Sequence, residues 1–176
     1  MGCGRSGARA PRPGRPLSHP VKLHLIAVGH RMPGWINAGY DDYARRMPPD
    51  LPLALTEIKP GHRVAGEDGA RARQLEAARI LAALPAGCVP VVLDERGVQA
   101  TTRELASWLG GWMDEGVSPA FVIGGADGLD DSVKARAGKL LGLSKLTLPH
   151  ALARVMLTEQ LYRAACIIKG HPYHRD

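Results

Sequence analysis

The chain has 176 residues, 45% of them hydrophobic, and carries 23 Lys and Arg against 17 Asp and Glu. That is the size of one domain, or of one domain with a tail, with enough apolar residues for a core. No apolar run is long enough to cross a bilayer, the first residues lack the apolar centre of a secretory signal, and three cysteines without C-x-x-C spacing indicate neither a disulfide framework nor a zinc site, so a cytoplasmic protein without metal is expected.

The net charge of +6 is unevenly spread. Arg5, Arg9, Arg12 and Arg15 fall in residues 1–20, where no acid occurs, so the other 156 residues carry 19 bases against 17 acids, a net of +2. Such a body is not a generically basic nucleic-acid binder. Any RNA contact must use a local patch, or patches pooled by two chains. Residues 1–20 are rich in Gly, Pro and Arg and are expected to be a disordered extension of a domain that spans residues 21–176.

Residues 21–28 read as a first strand, apolar enough to be buried on both faces. Gly29 ends it, and a helix is expected over residues 35–46, with Ile36, Tyr40 and Tyr43 at helical spacing. Residues 53–58 form a second strand. The polar loop after it holds Lys59, His62 and Arg63, read as a solvated loop in preference to a phosphate contact. A helix follows over residues 70–84, with Leu75, Ala78, Ile80 and Leu81 expected inward. Residues 88–94 form a third strand. Thr101 and Glu104 make a T-x-x-E capping box for a helix that offers Leu105, Trp108, Leu109 and Trp112 to the core.

A short apolar run over residues 120–123 stops at Gly124 and Gly125, with Gly128 beyond. Glycines at a strand end let backbone approach a ligand, because no Cβ intervenes. The run lacks the spacing of a dinucleotide fingerprint or of a P-loop. Asp130 or Asp131 caps a short helix expected to reach Leu141. A fifth strand is expected over residues 143–148, ending at Pro149-His150. The last helix, residues 151–168, is apolar on two sides: Leu152, Val155 and Met156 on one, and Leu157, Leu161, Ala164 and Ile168 on the other. One side suits the sheet and the other a second subunit. Glu159 and Arg163 are spaced as a helical ion pair. Strands alternating with helices predict a mostly parallel α/β sheet.

Five words occur in one order: V-K-L-H-L-I-A-V-G-H from Val21, V-L-D-E-R-G from Val92, F-V-I-G-G-A-D-G-L from Phe121, L-S-K-L-T-L-P-H from Leu143, and the tail H-P-Y-H-R from His171. From Val21 to the end the chain resembles the RlmH family of SPOUT-class RNA methyltransferases. The resemblance implies a mostly parallel sheet flanked by helices with a C-terminal trefoil knot, a homodimer with its site at the subunit interface, and S-adenosylmethionine as cofactor. It implies methylation of N3 of a pseudouridine in large-subunit ribosomal RNA, on the ribosome. It assigns the cofactor to Leu93, Gly124, Leu143, Ser144, Lys145, Leu146, Thr147 and Leu148. An imide N3–H must lose a proton to become a nucleophile. Candidate catalytic residues are His150, Arg154 and Glu159, with Tyr173, His174 and Arg175 in a tail that suits a lid, over its own site or the partner's. His171 and His174 have H-x-x-H spacing but lack a third ligand in reach, so no metal is assigned. Another RNA such as tRNA, and a non-catalytic ribosome-binding factor, are the alternatives.

Overall fold

The computed structural model describes residues 21–62 and 69–174. The expectations for residues 1–20, Arg63 and Arg175 lie outside the described residues. In chain order the elements are β1 (Leu23–Val28), α1 (Gly34–Ala44), β2 (Leu53–Ile58), α2 (Ala70–Ala83), β3 (Val89–Gln99), α3 (Thr102–Glu115), β4 (Pro119–Ile123), α4 (Asp131–Lys134), β5 (Lys139–Gly142) and α5 (His150–Ile168). The strands form one sheet in the order β2-β1-β4-β3-β5, and every pairing is parallel.

The central strands β1 and β4 are apolar almost throughout, as a parallel sheet covered on both faces requires. Alternation along the strands divides the core in two. Leu23, Leu25, Ala27, Phe121 and Ile123 face a layer that contains Tyr40, Leu109 and Leu157, from α1, α3 and α5. Ile26, Val28, Ala120 and Val122 face Ala77, Ile80 and Val133, from α2 and α4. Helix α3 starts at the expected capping box: the Glu104 amide donates to Thr101 Oγ1 at 3.2 Å, and the Thr101 amide to the Glu104 carboxylate at 2.7 Å. Asp130 caps α4 in the same manner, accepting from the Ser132 amide at 2.9 Å.

Three expectations are corrected. The fifth strand is Lys139–Gly142, not residues 143–148, which form an irregular loop. Helix α4 ends at Lys134, well short of Leu141, because the Gly138 amide joins the Pro90 carbonyl at 2.9 Å and draws the chain alongside β3. The loop then turns where the Leu146 amide donates to Ser144 Oγ at 2.9 Å, a local bond that competes with a strand ladder. In α2 the inward residues are Ala72, Glu76, Ala77 and Ile80, whereas Leu75 is 42% exposed. The turn is set by Glu76, whose carboxylate accepts the Gly61 amide at 2.8 Å.

Helix α5 packs against both α1 and α3. Leu157, Leu161 and Ala164 are fully buried, while Leu152 and Val155 are half-buried and Met156 is exposed. Leucines that look alike in sequence therefore differ in role. Leu161→Ala is expected to cost about 2–5 kcal/mol in urea melts, because it leaves a cavity in a closed layer. Leu146→Ala, at a side chain that is 75% exposed, should leave stability within about 0.5 kcal/mol.

Candidate active site

A cavity of about 820 Å³ opens at the carboxyl ends of β3, β4 and β5. This is where ligands sit in open α/β sheets. Its first wall is an irregularity in β3. Leu141 of β5 pairs with both Leu93 and Val98, so residues 94–97 are looped out of the ladder. Gly97 makes this possible: a Cβ there would lie 2.5 Å from the Leu141 carbonyl carbon. Asp94, Glu95 and Arg96 line the cavity from this bulge. Asp94 pairs with Lys134 at 2.7 Å and accepts the Arg96 amide at 2.9 Å. The hydrogen bond from Lys134, then that from the Arg96 amide, hold its carboxyl below the usual aspartate range.

The second wall is the glycine loop after β4. The Gly128 amide donates to the Gly125 carbonyl at 3.1 Å, and Gly128 has φ +77°. A Cβ at Gly124 would meet Leu129 Cγ at 2.7 Å, so that glycine serves the folding of the loop upon itself as much as the approach of a ligand. Behind it, the buried Glu76 carboxylate lies 3.0 Å from the Cβ position of Gly125.

The third wall is the loop after β5. Of the eight residues assigned to the cofactor, Leu93, Gly124, Leu143, Ser144, Leu146, Thr147 and Leu148 line the cavity, and Lys145 stands exposed on the same loop outside the lining.

Five of the six residues singled out for catalysis are described, and they separate into two groups. His150, in the first turn of α5, lines the cavity. Arg154, one turn on, is buried behind it, donating to Glu57 Oε1 at 2.6 Å and to the Gly29 carbonyl at 3.2 Å. Glu159 lies nine residues beyond His150, about 13 Å along the helix axis. Its carboxylate accepts from Arg163 at 2.6 Å and from the Tyr173 hydroxyl at 3.3 Å. The Tyr173 ring packs on Tyr162 at 4.8 Å and beneath the Arg163 guanidinium at 4.8 Å. Burial first, then a hydrogen bond with Tyr43 and the negative charge of Glu159, push its hydroxyl up to about 12, so it remains a proton donor. His174 is half-buried in the same tail. Neither Tyr173, His174 nor Glu159 lines the cavity of its own chain.

The sequence reading did not single out Glu76 or the Asp94–Lys134 pair. Glu76 carried a signal: Ala72, Glu76 and Ile80 are four apart, so a carboxylate lies in register with an inward isoleucine. The pair had none, because Lys134 meets Asp94 only through the path of the chain.

Residues 21–174 match the family described as "Predicted SPOUT methyltransferase". The chain belongs to that family. Curated relatives of this SPOUT methyltransferase include "Ribosomal RNA large subunit methyltransferase H" of Thiobacillus denitrificans, 83% identical over 156 residues that cover 89% of this chain and 100% of that protein. The protein of the same name from Ralstonia pickettii is 57% identical, covering 88% of this chain and 99% of that one. Among solved structures, a probable methyltransferase from Bordetella pertussis Tohama I shares the fold, with a TM-score of 0.52 at 16% identity, over 82% of this chain and 95% of that chain. A probable methylase family protein from Haemophilus influenzae Rd KW20 gives a TM-score of 0.50 at 14% identity, over 90% of this chain and 71% of that chain.

Two substitutions probe the first wall of the cavity in this SPOUT methyltransferase. Gly97→Ala sets a methyl against backbone and should cost about 1–3 kcal/mol by forcing β3 from β5. Asp94→Asn removes an ion pair worth less than about 1 kcal/mol. Because the folded pKa of Asp94 is depressed, its contribution is complete above roughly pH 4 and is lost as pH falls through the lowered value. The stability difference between wild type and Asp94→Asn, from melts across pH, should therefore vanish only at strongly acid pH.

Proposed function

We propose that this SPOUT methyltransferase transfers a methyl group from S-adenosylmethionine to N3 of a pseudouridine in large-subunit ribosomal RNA, acting in the cytoplasm on the ribosome as a homodimer with a C-terminal trefoil knot. The observation that carries the cofactor assignment is the convergence of Leu93, Gly124 and five residues of the 143–148 loop on one cavity. The substrate follows from the 83% identical relative, named for large-subunit ribosomal RNA.

The cavity fits the donor chemically. Its loops offer main-chain donors and acceptors between leucines, which suits a flat base, and the carboxylates of Asp94 and Glu95 suit hydroxyl and ammonium groups. When bound, S-adenosylmethionine supplies an electrophilic sulfonium methyl. The protein aligns the acceptor nitrogen and removes its proton. His150 bears the one imidazole in the lining and is the proposed proton acceptor. Glu159, Tyr173 and His174 are proposed to serve the partner's cavity, together with Arg175, since the first three do not line their own. The half-covered face of Leu152, Val155 and Met156 is the proposed subunit contact.

Transfer of labelled methyl groups to undermethylated ribosomes, subunits, free ribosomal RNA and tRNA tests the assignment. Transfer to ribosomes or large subunits is expected. Transfer to tRNA alone would sink the ribosomal reading, and failure to bind S-adenosylmethionine by calorimetry would turn attention to a ribosome-binding factor. Gly124→Val should abolish that binding, both by narrowing the cavity and by displacing Leu129 from the glycine loop, with far-UV circular dichroism reporting whether the sheet is retained. His150→Ala should lower kcat by about 10²-fold or more with little change in cofactor affinity.

A further inference from the structure

Arg154 is 1% exposed, yet it takes no part in the cavity wall. Its guanidinium ties the Glu57 carboxylate, at the end of β2, to the Gly29 carbonyl, just past β1. Its Nε has no partner among the described residues. Stability does not account for such a group, because Glu57 is itself exposed and burying one member of an ion pair is often no better than burying an apolar side chain of the same volume. What Arg154 holds is a backbone position. Gly29 lies at φ +122°, with its amide on the Ile58 carbonyl at 2.8 Å and its carbonyl on Arg154. The space above its α-carbon is filled by the Met32 methyl and by the His150 imidazole, 3.6 Å from where a Cβ would stand. The turn is pinned again where Asn37 Nδ2 donates to the Met32 carbonyl at 3.2 Å.

Between these anchors stands Arg31, at φ +56°, the one described non-glycine residue with positive φ. That conformation is disfavoured for a residue with a Cβ, and where it persists the surroundings enforce it. Arg31 is exposed, and no hydrogen bond or ion pair joins it to a described residue. A strained turn, anchored at both ends, thus presents an unpaired guanidinium two residues after Gly29, whose α-carbon faces the His150 imidazole that lines the cavity.

We propose that the turn over residues 29–32 is a contact surface for a backbone phosphate of the RNA substrate, with Arg31 as the phosphate ligand and Arg154 as the positioning residue that holds the turn. This rests on the RNA methyltransferase reading above. A body with a net charge of +2 draws little from a general field, so its phosphate affinity must come from placed charges. A guanidinium presents a fork of donors that matches phosphate oxygens.

The test is binding to large ribosomal subunits across a salt series, with steady-state methyl transfer, for the full-length wild type and its Arg31→Ala, Arg31→Gly and Arg31→Lys variants. Arg31→Ala should raise KM for subunits about tenfold and reduce the salt slope of log affinity by about one, with kcat and the Kd for S-adenosylmethionine unchanged. Arg31→Gly relieves the backbone, so its Tm should hold or rise while RNA affinity falls equally, a pairing that a merely structural role does not produce. Arg31→Lys keeps the charge and should restore the salt slope. Arg154→Met should reproduce the Arg31→Ala loss; if it does not fold, the Arg31 series decides. Unchanged KM and slope in Arg31→Ala and Arg31→Gly overturn the proposal. So does a changed sedimentation coefficient with RNA affinity intact, which would put the turn in a protein interface. A wild type that binds subunits through Arg31 but transfers no methyl group would sink the activity and leave the contact standing. A wild type that does not bind at all overturns both.

Discussion

The close pass of β3 over β5 is the constraint on which the rest of the site depends. Gly97 lies so near Leu141 and Gly142 that no side chain fits between them. That contact expels residues 94–97 from the ladder and raises one wall of the cavity. It also sets where β5 ends, and so where the 143–149 loop begins. The walls thus follow the path of the chain, and a change of that path would move the polar side chains of Asp94, Glu95 and Ser144 with it.

Helix α5 joins the site to the core. Its first turn puts His150 at the cavity, its second buries Arg154, and its later turns carry the leucines that close the layer against the sheet. The same helix ends in the Glu159–Arg163–Tyr173 cluster. A rigid rod about 28 Å long thus holds two polar groups apart. In one chain they do not meet. That separation is the reason a second copy is proposed to complete the site.

Charge is placed rather than spread. The domain body is nearly neutral, yet Arg154, Lys134 and Arg163 each sit on a specific carboxylate. Each pair fixes a segment outside the regular elements or at their ends: the β1–α1 turn, the β3 bulge and the C-terminal tail. Arg31 is different, being displayed without such a partner.

Much of the architecture was legible in the sequence. The apolar runs of β1 and β4, the T-x-x-E cap of α3 and the long two-faced α5 each follow from local chemistry that any surroundings would respect. The glycine loop and the leucine-rich segment were also legible, as was their grouping with Leu93 through family resemblance. The path of residues 135–149 was not. Leucines at 143, 146 and 148 look like a strand, but the strand lies just before them, because β3 offers a free edge to residues 139–142 and none beyond. The face of α2 was misread because Leu75 is more apolar than Glu76, and only a tertiary partner, the Gly61 amide, makes the carboxylate the buried one. Arg154 was legible as a charge on an apolar helix but not as a clamp, since Gly29 and Glu57 are far from it in sequence. By itself the sequence determined the elements outside residues 135–149, the caps of α3 and α4, and the family, because these depend on neighbours along the chain. The tertiary structure decided which polar groups are buried and which face the cavity, because burial and pairing depend on segments that meet only when the sheet has formed.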